Sequence, residues 1–222
     1  MKAGNQKSEV GSQKQADRTN SAPLVFVISA PSGGGKTTLC NNLLAAYPNM
    51  TRAITSTTRP PRTGERDGVD YYFFSETEFA RRVAAGEFLE HATVFGNRYG
   101  TLKSELLGKL RQGKDVLLNI DVQGAAAVRA RAAADADLRG SLVTVFLTPE
   151  SLATLAERLA RRGTDAPDVV ARRLAVAREE IARWQDFDYL IFSTTVDEDL
   201  RRMQAVVAAE RMRTTRAQSP EF

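Results

Sequence analysis

The chain has 222 residues, with 31 Lys and Arg against 27 Asp and Glu, 42% hydrophobic and 7% aromatic residues. That length suits one sizeable α/β domain, and the ordinary balance of apolar and charged residues excludes a wholly disordered or fibrous chain. The apolar runs at 24–30 and 116–120 fall far short of the roughly 20 residues a membrane-spanning helix needs, so no membrane partner is expected. The net charge of +4 sits at the ends: residues 1–20 hold four basic and two acidic groups, and 211–222 hold three and one. A body with balanced charge lacks the electrostatic footprint of a nucleic-acid partner. The single cysteine, Cys40, excludes an internal disulfide and fits a reducing cytoplasm. The polar first twenty residues carry no apolar stretch of the kind an export signal has.

In chain order, residues 1–21 have almost no large apolar side chain to bury, and read as an N-terminal tail that cannot offset the entropy of ordering. Leu24 to Ile28 is apolar on both faces and β-branched, the pattern of a central strand in a parallel sheet. A glycine-rich loop follows, then a helix over Thr37–Tyr47. Residues 52–101 break the rhythm as an insertion, with short strands at Tyr71–Phe74 and Phe88–Phe95 around a helix at Glu76–Ala85. Alternation then resumes: helix Leu102–Gln112, strand Asp115–Asp121, helix Gly124–Ala134, strand Ser141–Leu147, helix Pro149–Arg162, helix Pro167–Gln185, strand Phe187–Ser193 and helix Asp197–Arg213. Thr148 and Pro149 read as N-cap and first helical position, and Arg161-Arg162-Gly163 as a basic last turn before a stop. Repeated β then α predicts an α/β fold with a doubly wound parallel sheet. Residues 209–222 read as a C-terminal tail. Cys40 and Trp184 are expected to pack, and His91 has no partner that suggests chemistry.

The loop is Ala30-Pro31-Ser32-Gly33-Gly34-Gly35-Lys36-Thr37-Thr38, between a strand and a helix, the context a P-loop requires. Its backbone N–H groups and the helix dipole suit phosphate oxygens. Lys36 can reach the β- and γ-phosphates of ATP, and the Thr37 hydroxyl can sit near Mg²⁺. Ala30 stands where the usual pattern has glycine, a small change. At the end of the next apolar strand, Asp121 is a candidate carboxylate for the Mg²⁺ shell, with capping of the following helix as the alternative.

Between them lie Thr55-Ser56-Thr57-Thr58-Arg59-Pro60-Pro61-Arg62-Thr63-Gly64-Glu65 and Gly68-Val69-Asp70-Tyr71. Arg59 and Arg62, held by consecutive prolines, form a fork for a phosphate dianion, and Tyr71 and Tyr99 can add O–H donors. These segments, with Phe88-Leu89-Glu90, Gly96-Asn97, Tyr99-Gly100-Thr101 and Ile120-Asp121-Val122-Gln123-Gly124-Ala125 in that order, closely resemble the guanylate kinase family over about residues 22–208.

The resemblance implies a P-loop nucleoside-monophosphate kinase core, a small GMP-binding insertion, and a helical lid at about 158–173. It implies transfer of the γ-phosphoryl of ATP to GMP, with Mg²⁺, and no obligatory protein partner. Arg59, Arg62, Tyr71 and Tyr99 would hold the GMP phosphate, Thr55, Glu90, Thr101 and Asp121 the guanine, and Arg162 and Arg173 of the lid the transferring group. Asn119 and Ser193-Thr194-Thr195 differ from the family's usual Asp or Glu and Asn-Asp-Asp. A binding-only guanylate-kinase-like module and another small-molecule P-loop kinase are the alternatives; Lys36 speaks against the first and Glu90 against the second.

Overall fold

The computed structural model describes residues 22–94, 96–161 and 167–216. A five-stranded sheet is built from β1 (Val25–Ser29), β2 (Met50–Arg52), β7 (Asp115–Asn119), β8 (Leu142–Thr148) and β9 (Tyr189–Phe192), in the order β2-β7-β1-β8-β9. Every pairing in it is parallel. Side chains alternate along β1 as a twofold period demands. Phe26 and Ile28 pack with Leu39 and Leu43 of α1 (Lys36–Ala46) and Met203 and Val207 of α8 (Val196–Arg211). Val25 and Val27 face the other way, toward Leu106 of α3 (Lys103–Arg111) and Ala125 and Val128 of α4 (Val122–Ala134). Helices therefore cover both faces, and β1, wholly buried, reads as a continuous apolar run for that reason.

The insertion forms a second sheet, order β4-β3-β6-β5, from β3 (Thr55–Thr57), β4 (Tyr72–Phe73), β5 (Phe88–Val94) and β6 (Asn97–Leu102). Its outer face is closed by α2 (Glu76–Ala84), where Phe79 stacks on Phe88 at 4.4 Å between ring centroids. Glu105 on α3 ties this sheet to the core, accepting from Ile54 N at 2.9 Å and from the Tyr72 hydroxyl at 3.0 Å. A short helix, α5 (Ala136–Arg139), and an α6 (Leu152–Arg161) and α7 (Pro167–Ile181) pair complete the chain. Leu155, Leu159 and Ala177 form the small core of that pair.

Several expectations need correction. The helix expected from Pro149 begins at Leu152, because β8 runs on through Thr148, whose hydroxyl donates to Pro149 O. Ser151 supplies the cap, accepting from Thr154 N at 3.1 Å. Strands β2, β3 and β6 were not expected from the sequence. Trp184 lies in a 3₁₀ turn at Trp184–Asp186 and is 42% exposed instead of packed. The last helix passes residue 208 to Arg211, and Arg216 donates to Gly140 O and Leu142 O. Arg162, Gly163 and the expected N-terminal tail fall outside the described residues. No helix among the described residues is long and apolar enough to cross a membrane.

Candidate active site

All five core strands point the same way, so the segments that follow their C-terminal ends gather at one edge, the usual binding edge of an open parallel sheet. After β1 comes the glycine loop. Gly33 and Gly35 hold φ of +86° and +95°, a left-handed conformation that glycine adopts without the clash of a Cβ. Gly35 leads into α1, whose first turn contains no acidic residue, so its positive dipole end is left uncompensated for an anion. Lys36 Nζ donates to Ile120 O at 3.0 Å, as the Ser29 hydroxyl does at 2.7 Å. The lysine thus bridges the loop to the end of β7. Burial lowers its pKa against the opposing pull of Asp121, Glu180 and Cys40. Residues Ala30 to Thr38 line a cleft of about 290 Å³.

Asp121 serves as N-cap of α4, accepting from Gly124 N at 2.8 Å. The capping role is real, and it coexists with the site: its charge acts on both Lys36 and Glu90.

Glu90 is positioned by an irregularity. Along β5 and β6, Phe88 pairs with Leu102 but Glu90 pairs with Thr101, a register shift of one residue. Such a bulge reverses which face later side chains take. Phe88 therefore packs outward with Phe79 and Leu102, while Glu90 turns to the Thr101 face and accepts from its hydroxyl at 2.8 Å. Thr101 pairs in turn with Thr55 across β3, so Glu90, Thr101 and Thr55 form one cross-strand row. Glu90 is 7% exposed, and desolvation raises its pKa, aided by Asp121 and opposed by the Thr101 hydrogen bonds. Gly100 permits the bulge: a Cβ there would lie 2.7 Å from Glu90 O.

One row further along the same face, Thr57 pairs with Tyr99. Tyr99 meets Tyr71 edge-on at 6.3 Å, and Arg59 lies over the Tyr71 ring at 5.4 Å. The expected arginine fork is more structured than a surface pair. Arg59 donates to both oxygens of Glu65, at 2.8 and 2.9 Å, and also bonds Tyr99. Glu65 accepts from Arg62 N at 2.7 Å, which closes the loop. These bonds lower the Glu65 pKa, the Arg59 contact being the largest cause. Arg62 itself is exposed.

A second cleft shares Gly35 and Thr38 with the first and continues along Arg158, Ser193–Val196 and Asp199. Arg158 donates to the Ser193 hydroxyl at 2.9 Å, which donates to Asp199 at 2.7 Å. Arg173 is half-buried on α7. Sequence reasoning missed Glu105 and Glu180, and it quoted Glu65, Gly124 and the stretch from Arg158 only as parts of family segments, with no role of their own. Glu65 alone had a local signal, sitting six residues after Arg59 at the close of a Pro- and Gly-bounded loop.

A family model described as guanylate kinase matches residues 22–210. The chain belongs to the guanylate kinase family. Relatives named guanylate kinase include those of Novosphingobium aromaticivorans, 45% identical over 87% of this chain and 85% of theirs, and of Symbiobacterium thermophilum, 46% identical over 87% and 88%. A crystal structure of guanylate kinase from Anaplasma phagocytophilum is 35% identical, with a TM-score of 0.67 over 88% of this chain and 90% of that one. Family membership accounts for the pairing of a phosphate loop with an inserted sheet on one α/β core.

Proposed function

We propose that this chain transfers the γ-phosphoryl group of ATP to GMP, giving ADP and GDP. The observation that carries the reading is the Glu90, Thr101 and Thr55 row, linked to the phosphate loop through Asp121, whose charge acts on both Glu90 and Lys36, and lying on a sheet whose next row leads to Arg59, Tyr71 and Tyr99. Guanine presents N1–H and N2–H₂ as donors and O6 as acceptor. A buried carboxylate suits the donors, and hydroxyls suit the acceptor. Adenine reverses the pattern at these positions and would leave Glu90 facing a lone pair, a mismatch that buried polar sites reject strongly.

Arg59, held by Glu65 over Tyr71, and Arg62, with Tyr71 and Tyr99, bind the GMP phosphate, whose oxygen is itself the nucleophile. No covalent enzyme intermediate and no strong base is needed, so the chain's work is positioning and electrostatics. Lys36 and the amides of Gly33 to Thr38 hold the donor phosphates, and Arg162 and Arg173 add cations over the transferring group. Among the described residues no three His, Cys, Asp or Glu side chains cluster as a metal cage. The donor set, the exposed Thr37 hydroxyl with the Asp121 carboxylate beyond it, fits Mg²⁺, which keeps waters and binds through few protein oxygens and phosphates. Bound there, the ion would supply positive charge to the β- and γ-oxygens. With one cysteine, Cys40, the chain can form no internal disulfide, which suits the reducing cytoplasm taken here as its location.

The test is a coupled ADP-release assay with ATP and each nucleoside monophosphate. GMP is expected to turn over far faster than AMP, CMP or UMP; equal rates would refute the guanine assignment.

A further inference from the structure

Among the described residues, the phosphate cleft has one lining side chain from outside the loop, Glu180 near the end of α7. Its carboxylate faces the Ser32 N–H across that cleft, and Lys36 and the Ser32 N–H both favour its charge. Among the described residues its buried Oε2 has no hydrogen-bond partner. A desolvated carboxylate with one oxygen unbonded is a poor structural brace, and the charge that offsets its burial is that of Lys36, the loop's own cation. The carboxylate has the charge and the donor preference of a phosphate oxygen.

A second contact joins the α6 and α7 pair to the loop. It is apolar: Leu155 and Leu159 of α6 lie so close to Gly33 that a Cβ there would come within 3.2 and 2.9 Å of them. Ala177, buried between these leucines, sits one turn before Glu180, and Arg173 one turn before that. At a spacing of i, i+4 and i+7 the three share one helix face. The face that presents Glu180 to the loop is therefore the face that carries Arg173.

Resting on the reading of this loop as the donor-phosphate site, we propose that Glu180 is a built-in phosphate surrogate, a positioning residue whose carboxylate holds the loop's mouth until the donor's phosphates displace it. Two anions cannot share the Ser32 N–H, and the Coulomb repulsion between them acts in a partly desolvated cleft. Donor binding thus breaks the polar contact and keeps the apolar one, freeing α7 to turn about the Leu155 and Leu159 seat and re-aim Arg173. Glu180 costs donor affinity and couples donor arrival to the helix that supplies a cation.

The experiment is calorimetric titration of wild type, Glu180→Gln and Glu180→Ala with Mg·ADP, with inorganic tripolyphosphate and with GMP, each variant's fold being checked by thermal melting. Removing the charge is expected to tighten ADP and tripolyphosphate by about tenfold while leaving GMP affinity unchanged. A loop brace would give the opposite sign, since its loss would weaken phosphate binding. Unchanged or weaker ADP binding in whichever variant is folded, with wild type binding normally, overturns the surrogate role alone. A wild type that binds neither ADP nor tripolyphosphate overturns the phosphate-loop reading beneath it.

Discussion

Glu90→Gln is expected to make the protein more stable and a worse kinase. The carboxylate is 7% exposed, is bonded by one hydroxyl at 2.8 Å and shares its surroundings with the Asp121 charge. Its pKa is raised, chiefly by desolvation. A raised carboxylate pKa means the native state binds its proton more readily than the unfolded chain. Native stability therefore falls as pH rises from the ordinary glutamate range through the raised value. Gln keeps the shape, still accepts from Thr101, and removes the charge. The gain is expected as a higher Tm at pH 8, shrinking as pH falls toward the ordinary glutamate range and vanishing near pH 4. Guanine loses in exchange both charged acceptors and keeps at most one neutral amide oxygen. A hydrogen bond to an ionised group contributes about 1.5–3 kcal/mol, so kcat/KM for GMP should fall roughly ten- to more than a hundredfold. The preference for GMP over IMP, which lacks the exocyclic amine, should shrink with it. Thermal melts from pH 4 to 8.5 and coupled assays with both acceptors check this. A variant whose stability difference does not grow with pH, or whose GMP to IMP ratio is unchanged, refutes the reasoning.

Lys36→Ala removes a half-buried cation whose pKa is already lowered by desolvation; turnover is expected to drop by at least about a hundredfold with the fold retained, read by steady-state kinetics and circular dichroism. Arg59→Ala should weaken GMP, dGMP and IMP to the same degree, because the proposal assigns this residue to the phosphate and not the base; a changed GMP to IMP ratio would contradict the assignment. Gly100→Ala places a Cβ 2.7 Å from Glu90 O and 2.8 Å from the Phe88 ring, and should cost about 1–3 kcal/mol by overpacking and loosen GMP binding together, seen as a lower Tm and a higher KM for GMP.

What could be read from the sequence was local or periodic. The apolar run of β1, the glycine loop with Lys36 and Thr37, and the alternation of strand and helix each depend on residues within a few positions of one another, and local sterics and burial on both faces determine them. Glu90 and the threonines could be proposed as site residues only through the ordered set of family segments, since a carboxylate in a strand carries no local mark of a binding role. Short β2 and β3 were missed because three residues show too little period, and β6 because Asn, Arg and Gly dilute its β pattern. The helix start at Leu152 was misplaced because Thr148-Pro149 and Ser151 offer equally good capping chemistry. Only the extension of β8 through pairing with β9 chose between them.

The sequence by itself determined the kind of core, the place of the phosphate loop within it and the residue types available for a guanine monophosphate. The tertiary structure alone decided how those types are used. The bulge between Phe88 and Glu90 depends on Gly100 in the next strand, the seating of Arg59 on Glu65 and Tyr99 depends on how the insertion loop closes against that sheet, and Glu180 reaches Ser32 from nearly 150 positions away. Such contacts join segments that local propensity treats as independent. Their energies exist only once the sheet has brought the C-terminal ends of its strands to one edge, and no window of the sequence short enough to read by pattern contains both partners.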